Sequence, residues 1–315
     1  MRDTDPLLFS NRMPEIEAEL RGMQERDVEA LCESMLQVIG DEKRALLERI
    51  SAGNVLGLIG DPRIDPLQPS MCRIPMGSFG MGTDEAEIPA VARRFGVPEA
   101  WFRKSTPRHE VELDAYEIGR FLVTESEYLT FIQETGVWEI PDHWEDNCPP
   151  PYRANHPVYG VSWQGILLYA EWISEQAGCQ YRIPTEAEWE RTARGTDRRA
   201  FPWGDSFEAT RCNTREGGVG NTTPVGIYPS GISACGALDM AGNVEEYVAD
   251  LYWPYPESTF EDGSFGTYRI TRGGVYSLDA DLARCDRRHG GDYNGPSGFR
   301  LVRSAADEWF RGEVD

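Results

Sequence analysis

The sequence predicts an α+β domain, rich in loops, preceded by a short helical segment. Three observations lead there. Apolar residues recur at helical spacing in two stretches before residue 60. From residue 70 on, short alternating stretches suited to strands are interleaved with a few well-capped helices. The chain of 315 residues carries 32 Gly and 21 Pro, which favours turns over a helical bundle.

The elements are taken in chain order. Residues 13–59 read as helical. In DVEALCESMLQVIG (27–40), Val28, Leu31, Met35 and Ile39 form one apolar stripe, and Gly40 is placed to end it. A second amphipathic stretch, 41–60, carries Leu46, Leu47, Ile50, Val55 and Leu58. The pair is similar to one repeat of a HEAT-type helical array. A lone pair cannot make a solenoid, so it is expected to dock on the rest of the chain. GDPRIDPLQP (60–69) holds three prolines and reads as a linker. The divisions expected are 1–69, a main domain over 70–305, and a tail over 306–315. Within the domain, HEVELDAYEIGRFLVT (109–124) contains strand-like alternation. Three helices then announce their starts: Thr124 with Glu127 three residues on, Ser162, and Thr185 with Glu188. Gly136 closes the first of them.

Composition narrows the function classes. The formal charge, 31 − 53 = −22, argues against nucleic acid and anionic membranes as partners. No apolar run reaches the roughly 20 residues of a membrane span. The first residues are acidic and lack the apolar core of a secretory signal. The seven cysteines, at 32, 72, 148, 179, 212, 235 and 285, are odd in number and contain no CxxC pair. Reduced thiols in the cytoplasm are the expectation, and a classical zinc site is not.

Nine segments stand in a telling order: MCRIPMGSFGMGTDE (71–85), HEVELDAYEIGRFLVTESEYLTFI (109–132), HPVYGVSWQGILLYAEW (156–172), YRIPTEAEWERTARG (181–195), FPWGD (201–205), TTPVGIYPSG (222–231), ALDMAGNVEEYVAD (237–250), TRGG (271–274) and SGFRLVRS (297–304). Together they resemble the formylglycine-generating enzyme family, also called the sulfatase-modifying-factor domain, over about 70–305. The resemblance implies a loop-rich fold related to C-type lectins. It implies three kinds of relative: copper oxidases that convert a substrate cysteine to formylglycine, iron-dependent sulfoxide synthases, and binding modules.

The resemblance also says which residues to inspect. The two copper-binding cysteines of the oxidases correspond to Leu278 and Ala283, and neither can bind copper, so no copper is expected. Cys285 matches a structural cysteine whose partner position is Thr192, so it is expected as a buried free thiol. The sulfoxide synthases need an HxxxHxE run. The four histidines here, His109, His143, His156 and His289, have no such spacing, which leaves iron open only through other ligands. His109 and His156 fall at positions the family uses structurally. The family's calcium loop matches DMAGNVEE (239–246), which carries over the Asp239 and Glu246 carboxylates and the carbonyls of Gly242 and Val244 as Ca²⁺ ligands. Glu245 and Tyr247 stand where the family usually has Trp. A second calcium position would use Asn213 and Thr214, but its downstream Asp is missing.

What remains of the implied pocket is polar and aromatic: Trp203, Tyr276, Asp279, Asp281, Arg284, Arg287, Arg288, His289, Asp292, Tyr293 and Asn294. Such residues make efficient contact surfaces. The alternative for Arg284 and Arg287 is pairing with nearby acids. The leading expectation is a non-catalytic module binding a protein or peptide through 275–294, with Tyr276, Arg288, His289 and Tyr293 facing solvent. The alternative is a metal-dependent oxidase using non-cysteine ligands around His289, Asp292 and Tyr293. The sequence leaves the oligomeric state open.

Overall fold

The structure is a computed structural model that describes residues 16, 18–20, 22–290 and 295–305. Asp292, Tyr293, Asn294 and the tail at 306–315 lie outside the described residues.

Two helices lead: α1 (Glu25–Gly40) and α2 (Leu46–Ile59). Gly40 is the last helical residue and not the cap. Asp41 comes next and closes the turn through its N–H to the Gln37 and Val38 carbonyls. The pair does dock. Ile39 and Leu56 share a buried cluster with Ile227 and Tyr228 of the main domain. Arg49 Nη1 donates to the Ile227 carbonyl at 2.6 Å, and Asn155 Nδ2 donates to the Gly53 carbonyl at 2.9 Å. Gly53 permits the approach, since a Cβ there would lie 2.7 Å from the Pro224 ring.

The main domain is built on short strands. β1 (Met71–Ile74), β2 (Gly77–Met81), β3 (His109–Leu113) and β4 (Tyr116–Gly119) precede the capped helices, with α3 (Ile88–Phe95) and α4 (Ala100–Arg103) between β2 and β3. Helix α5 (Glu125–Thr135) starts where Glu127 Oε2 accepts both the Thr124 N–H and its hydroxyl, and it ends at left-handed Gly136. Helix α6 (Trp163–Ala177) is capped by Ser162, whose hydroxyl accepts the Gly165 N–H. After β5 (Tyr181–Arg182), α7 (Glu186–Arg194) starts on a complete Thr185/Glu188 capping box. The remaining strands are β6 (Glu245–Leu251), β7 (Arg269–Arg272), β8 (His289–Gly290), β9 (Ser297–Gly298) and β10 (Val302–Ser304).

These form a four-stranded sheet in the order β1-β4-β10-β5, a β2–β3 ribbon, and a second four-stranded sheet in the order β8-β7-β6-β9. One core lies between α5 and α6, where Tyr128, Phe131, Tyr169 and Phe299 meet ring on ring. The other packs Trp189 of α7 with Ile118, Val248, Ile270 and Cys285. Mixed short strands, capped helices and long connections make an α+β fold. Among the described residues, no helix is long and apolar enough to cross a membrane.

Candidate functional site: one polar face of the second sheet

Strand periodicity sends alternate residues of β6 to opposite faces. Glu246 and Val248 point into the core, so Glu245 and Tyr247 take the other face. Register places Tyr247 opposite Thr271 on β7, Thr271 opposite His289 on β8, and Glu245 opposite Ser297 on β9. One face therefore gathers an imidazole, a carboxylate and three hydroxyls.

Their geometry is specific. Glu245 is fully buried. Its Oε1 lies 2.6 Å from His289 Nδ1, and its Oε2 accepts the Thr271 hydroxyl at 2.9 Å. The imidazole itself keeps 27% of its side-chain surface in solvent. Tyr247 bonds Ser297, and burial raises its phenol pKa. Further along the face, the Arg269 guanidinium lies 3.7 Å above the Trp163 ring, which meets Tyr247 edge-on. A carboxylate holding one ring nitrogen fixes the tautomer and orientation of the other, the usual design of an acid–base histidine.

The expected contact surface over 275–294 is corrected at its three arginines. Arg284, Arg287 and Arg288 are 5%, 4% and 3% exposed. Arg284 forks onto Asp286 at 3.0 and 2.8 Å. Arg287 pairs with Asp281 and donates to the Trp101 carbonyl at 2.7 Å. Arg288 holds both oxygens of Glu186 and lies 4.1 Å over Tyr255. The cause is local. Acids on this loop and on α7 offer these guanidiniums buried, hydrogen-bonded partners, and Arg tolerates such burial when paired. Arg272, wholly buried, joins Glu186 and Glu190 to the same network. Asp281 is buried with them, whereas Asp279 stays on the surface, paired with Arg215. Tyr276 and Trp203 are half-buried, and Trp203 donates to the Ser206 carbonyl at 2.9 Å.

Neither thiolate chemistry nor the calcium loop fits the geometry. Cys285 is fully buried, and burial pushes its thiol pKa up to about 12. Ala283 is buried beside it and Leu278 offers no donor. The calcium assignment of Asp239, Gly242, Val244 and Glu246 is corrected at Glu246. Its two oxygens are taken by Arg300 at 2.5 and 2.6 Å and by Trp189 Nε1 at 2.9 Å, so the chain supplies the counter-ion itself. Asp239 accepts the Gly226 N–H, and burial raises its pKa to about 6. Among the described residues, no group of three or more His, Cys, Asp or Glu side chains could hold a metal ion.

Sequence reasoning passes over a second pair. His143 Nε2 lies 2.7 Å from Oε1 of Glu125, a fully buried carboxylate at the start of α5. Trp144 Nε1 donates to the other oxygen. The signal is present in the adjacent His and Trp of PDHWED, but nothing in the spacing ties them to an acid 18 residues earlier.

Comparison with known proteins agrees with this architecture. Residues 60–305 match the model of the sulfatase-modifying factor enzyme 1-like domain. The hercynine oxygenase of Mycolicibacterium thermoresistibile is 32% identical over 219 residues, 56% of this chain and 48% of that protein. The serine/threonine-protein kinase pkn1 of Chlamydia pneumoniae is 30% identical over 78% of this chain and 39% of its own length. This chain thus spans half or less of those two relatives. The formylglycine-generating enzyme of Thermomonospora curvata is 29% identical over 68% of this chain and 86% of that protein. Among solved structures, PvdO from Pseudomonas aeruginosa superposes with a TM-score of 0.60 at 28% identity, covering 75% of this chain and 95% of that one. Treponema denticola variable protein 1, at 19% identity and a TM-score of 0.58 over the same shares, has the same fold. The order of motifs, the two sheets and the matched span agree: the chain belongs to the sulfatase-modifying factor enzyme 1-like domain family.

Proposed function

We propose that the chain is an oxidase of this family whose acid–base centre is the His289–Glu245 pair. The observation that carries the reading is the fully buried Glu245 carboxylate, held between the imidazole and the Thr271 hydroxyl on a face that reaches solvent through His289. The names of the relatives, an oxygenase and a formylglycine-generating enzyme, support an enzyme over a pure binding module. The binding reading also loses three of its contacts, because Arg284, Arg287 and Arg288 are spent on internal acids.

The chemistry assigned to the residues is proton transfer. His289 accepts a proton from an oxidisable O–H, N–H or S–H group of the substrate, and Glu245 stabilises the imidazolium. Two electrons and two protons pass from substrate to dioxygen, giving hydrogen peroxide. Thr271 fixes the Glu245 carboxylate throughout. Any metal taking part would need ligands other than cysteine.

The test is oxygen uptake by the purified full chain. The probes are a cysteine-containing peptide, a catechol and a thiol-bearing imidazole, each with and without added iron(II) or copper(I). Uptake is expected with at least one probe, falling about 100-fold in His289→Asn and Glu245→Gln. No uptake above the heat-denatured protein with any combination sinks the reading, as does uptake unchanged in both variants.

A further inference from the structure

The His143–Glu125 pair is built like the first pair, and the proposed reaction does not use it. The two pairs flank the same strand. On one side Ser297 of β9 is the register partner of Glu245. On the other its carbonyl accepts the Gly160 N–H at 3.2 Å, next to His143. His143 is fixed on three sides. Nε2 meets Glu125, and the ring stacks flat on Tyr159, with centroids 3.7 Å apart and planes 8° from parallel. Asp142 is tied to Gly160 by a backbone bond. Glu125 is in turn held by Trp144, with Arg153 4.0 Å away. Arg153 spends its Nη2 on the Thr222 hydroxyl at 2.8 Å.

Two nitrogens of this assembly are left over, Arg153 Nε and His143 Nδ1, and only the second can be an acceptor. With Nε2 donating to Glu125, the neutral ring carries its lone pair on Nδ1. That nitrogen is buried and has no hydrogen-bond partner among the described residues. Burying an unmade acceptor costs free energy that a structural histidine has no reason to bear. Gly160 lies against it: at φ +64° it has no side chain, and a Cβ there would stand 3.8 Å from Nδ1, at ordinary contact distance.

We propose that His143 is a ligand-binding residue that accepts, through Nδ1, a hydrogen bond from a protonated amine seated beside Gly160 and Ser297. The charge argument selects the amine. Two fully buried carboxylates, Glu125 and Glu245, stand behind the two imidazoles against one arginine, Arg153, 4.0 Å from Glu125, and aromatic faces favour a cation in front of them. The ammonium anchors the ligand while its oxidisable group lies toward His289. Only that last clause rests on the oxidase reading. Glu125 is the positioning residue, since it acts through the ring it orients.

The experiment uses the full chain with ¹⁵N-labelled histidine and tyramine as the probe. Free protein should show His143 with a lone pair on Nδ1 and a proton on Nε2. Tyramine should shift the Nδ1 resonance, and His143→Phe, which keeps the stack on Tyr159, should weaken tyramine binding by about tenfold. Tyrosol, which has no amine, and the trimethylammonium analogue of tyramine, which has no N–H donor, should both leave Nδ1 unmoved. A proton found on Nδ1, equal binding of tyrosol, or binding unchanged in His143→Phe overturns the proposal. An Nδ1 response without any oxygen uptake keeps this proposal and removes the oxidase reading. Uptake with no Nδ1 response does the reverse.

Discussion

His156 Nε2 lies 2.9 Å from Asn54 Oδ1, across the boundary between the leading helices and the main domain. The other ring nitrogen accepts the Thr222 hydroxyl at 2.9 Å, so the neutral imidazole is fully satisfied. Burial drives its pKa well below the ordinary 6.5. For a histidine with a depressed pKa, the unfolded chain binds the proton first. Its contribution to stability is therefore complete above about 6.5 and is lost as pH falls toward the folded value. Thermal unfolding followed from pH 8 to 5 should show this loss, and His156→Gln should reduce its steepness. Asn54→Ala should cost about 1–3 kcal/mol, read by denaturant unfolding at pH 7.5.

Glu127 predicts the opposite slope. Burial lifts its carboxyl from 4.5 to about 7, even though Thr124 donates two hydrogen bonds to it. A raised acid holds its proton longer in the folded state, so its stabilisation is present below about 4.5 and disappears as pH rises through about 7. Glu127→Gln keeps the acceptor oxygen and removes the titration. The variant should match the parent in acid and exceed its melting temperature at pH 8. A melting temperature lower than the parent's at pH 8 counts against the assignment.

Arg300 stands where a bound cation was expected, against Glu246. Adding excess EDTA to the purified chain should leave its melting temperature unchanged. Arg300→Met removes one partner of a buried pair and should cost about 3–5 kcal/mol by denaturant unfolding. A chelator-induced drop that calcium restores would reinstate the calcium loop.

Cys285 gives the plainest check on the thiol question. A fully buried thiol with its pKa pushed up to about 12 is neither nucleophile nor soft-metal ligand. In the native protein it should resist iodoacetamide while exposed Cys148 is alkylated, as read by peptide mass spectrometry. Cys285→Ser should leave any oxygen uptake intact, at a stability cost of about 1–3 kcal/mol from the buried hydroxyl.

Much of this fold is legible in the chain because its signals are local. Thr124, Ser162 and Thr185 each mark a helix start through atoms three residues away. The strand-like alternation over 109–124 becomes β3 and β4. The site is far less legible, because its partners are distant. Arg288 meets an acid 102 residues earlier, and His289 meets one 44 residues earlier. Without that pairing, a run of Arg and His beside two glycines looks like an outward surface. In the sequence Glu245 stands out only as an unusual substitute for Trp. Its role becomes visible once β7 and β8 bring Thr271 and His289 alongside it.

The buried arginines bear on synthesis as well as on stability. Glu186, Glu190 and Glu246 are in place by residue 246, but Arg272, Arg288 and Arg300 come later in the chain. Strand β10, which joins β4 to β5 in the first sheet, also comes from this late stretch. A nascent chain stopped near residue 260 would hold Glu186 and Glu246 without their arginines, with Arg194 alone against Glu190, and a sheet missing an inner strand. Closure of the domain must then wait for the ribosome to release the last of these segments, and the waiting chain is the form a chaperone would meet.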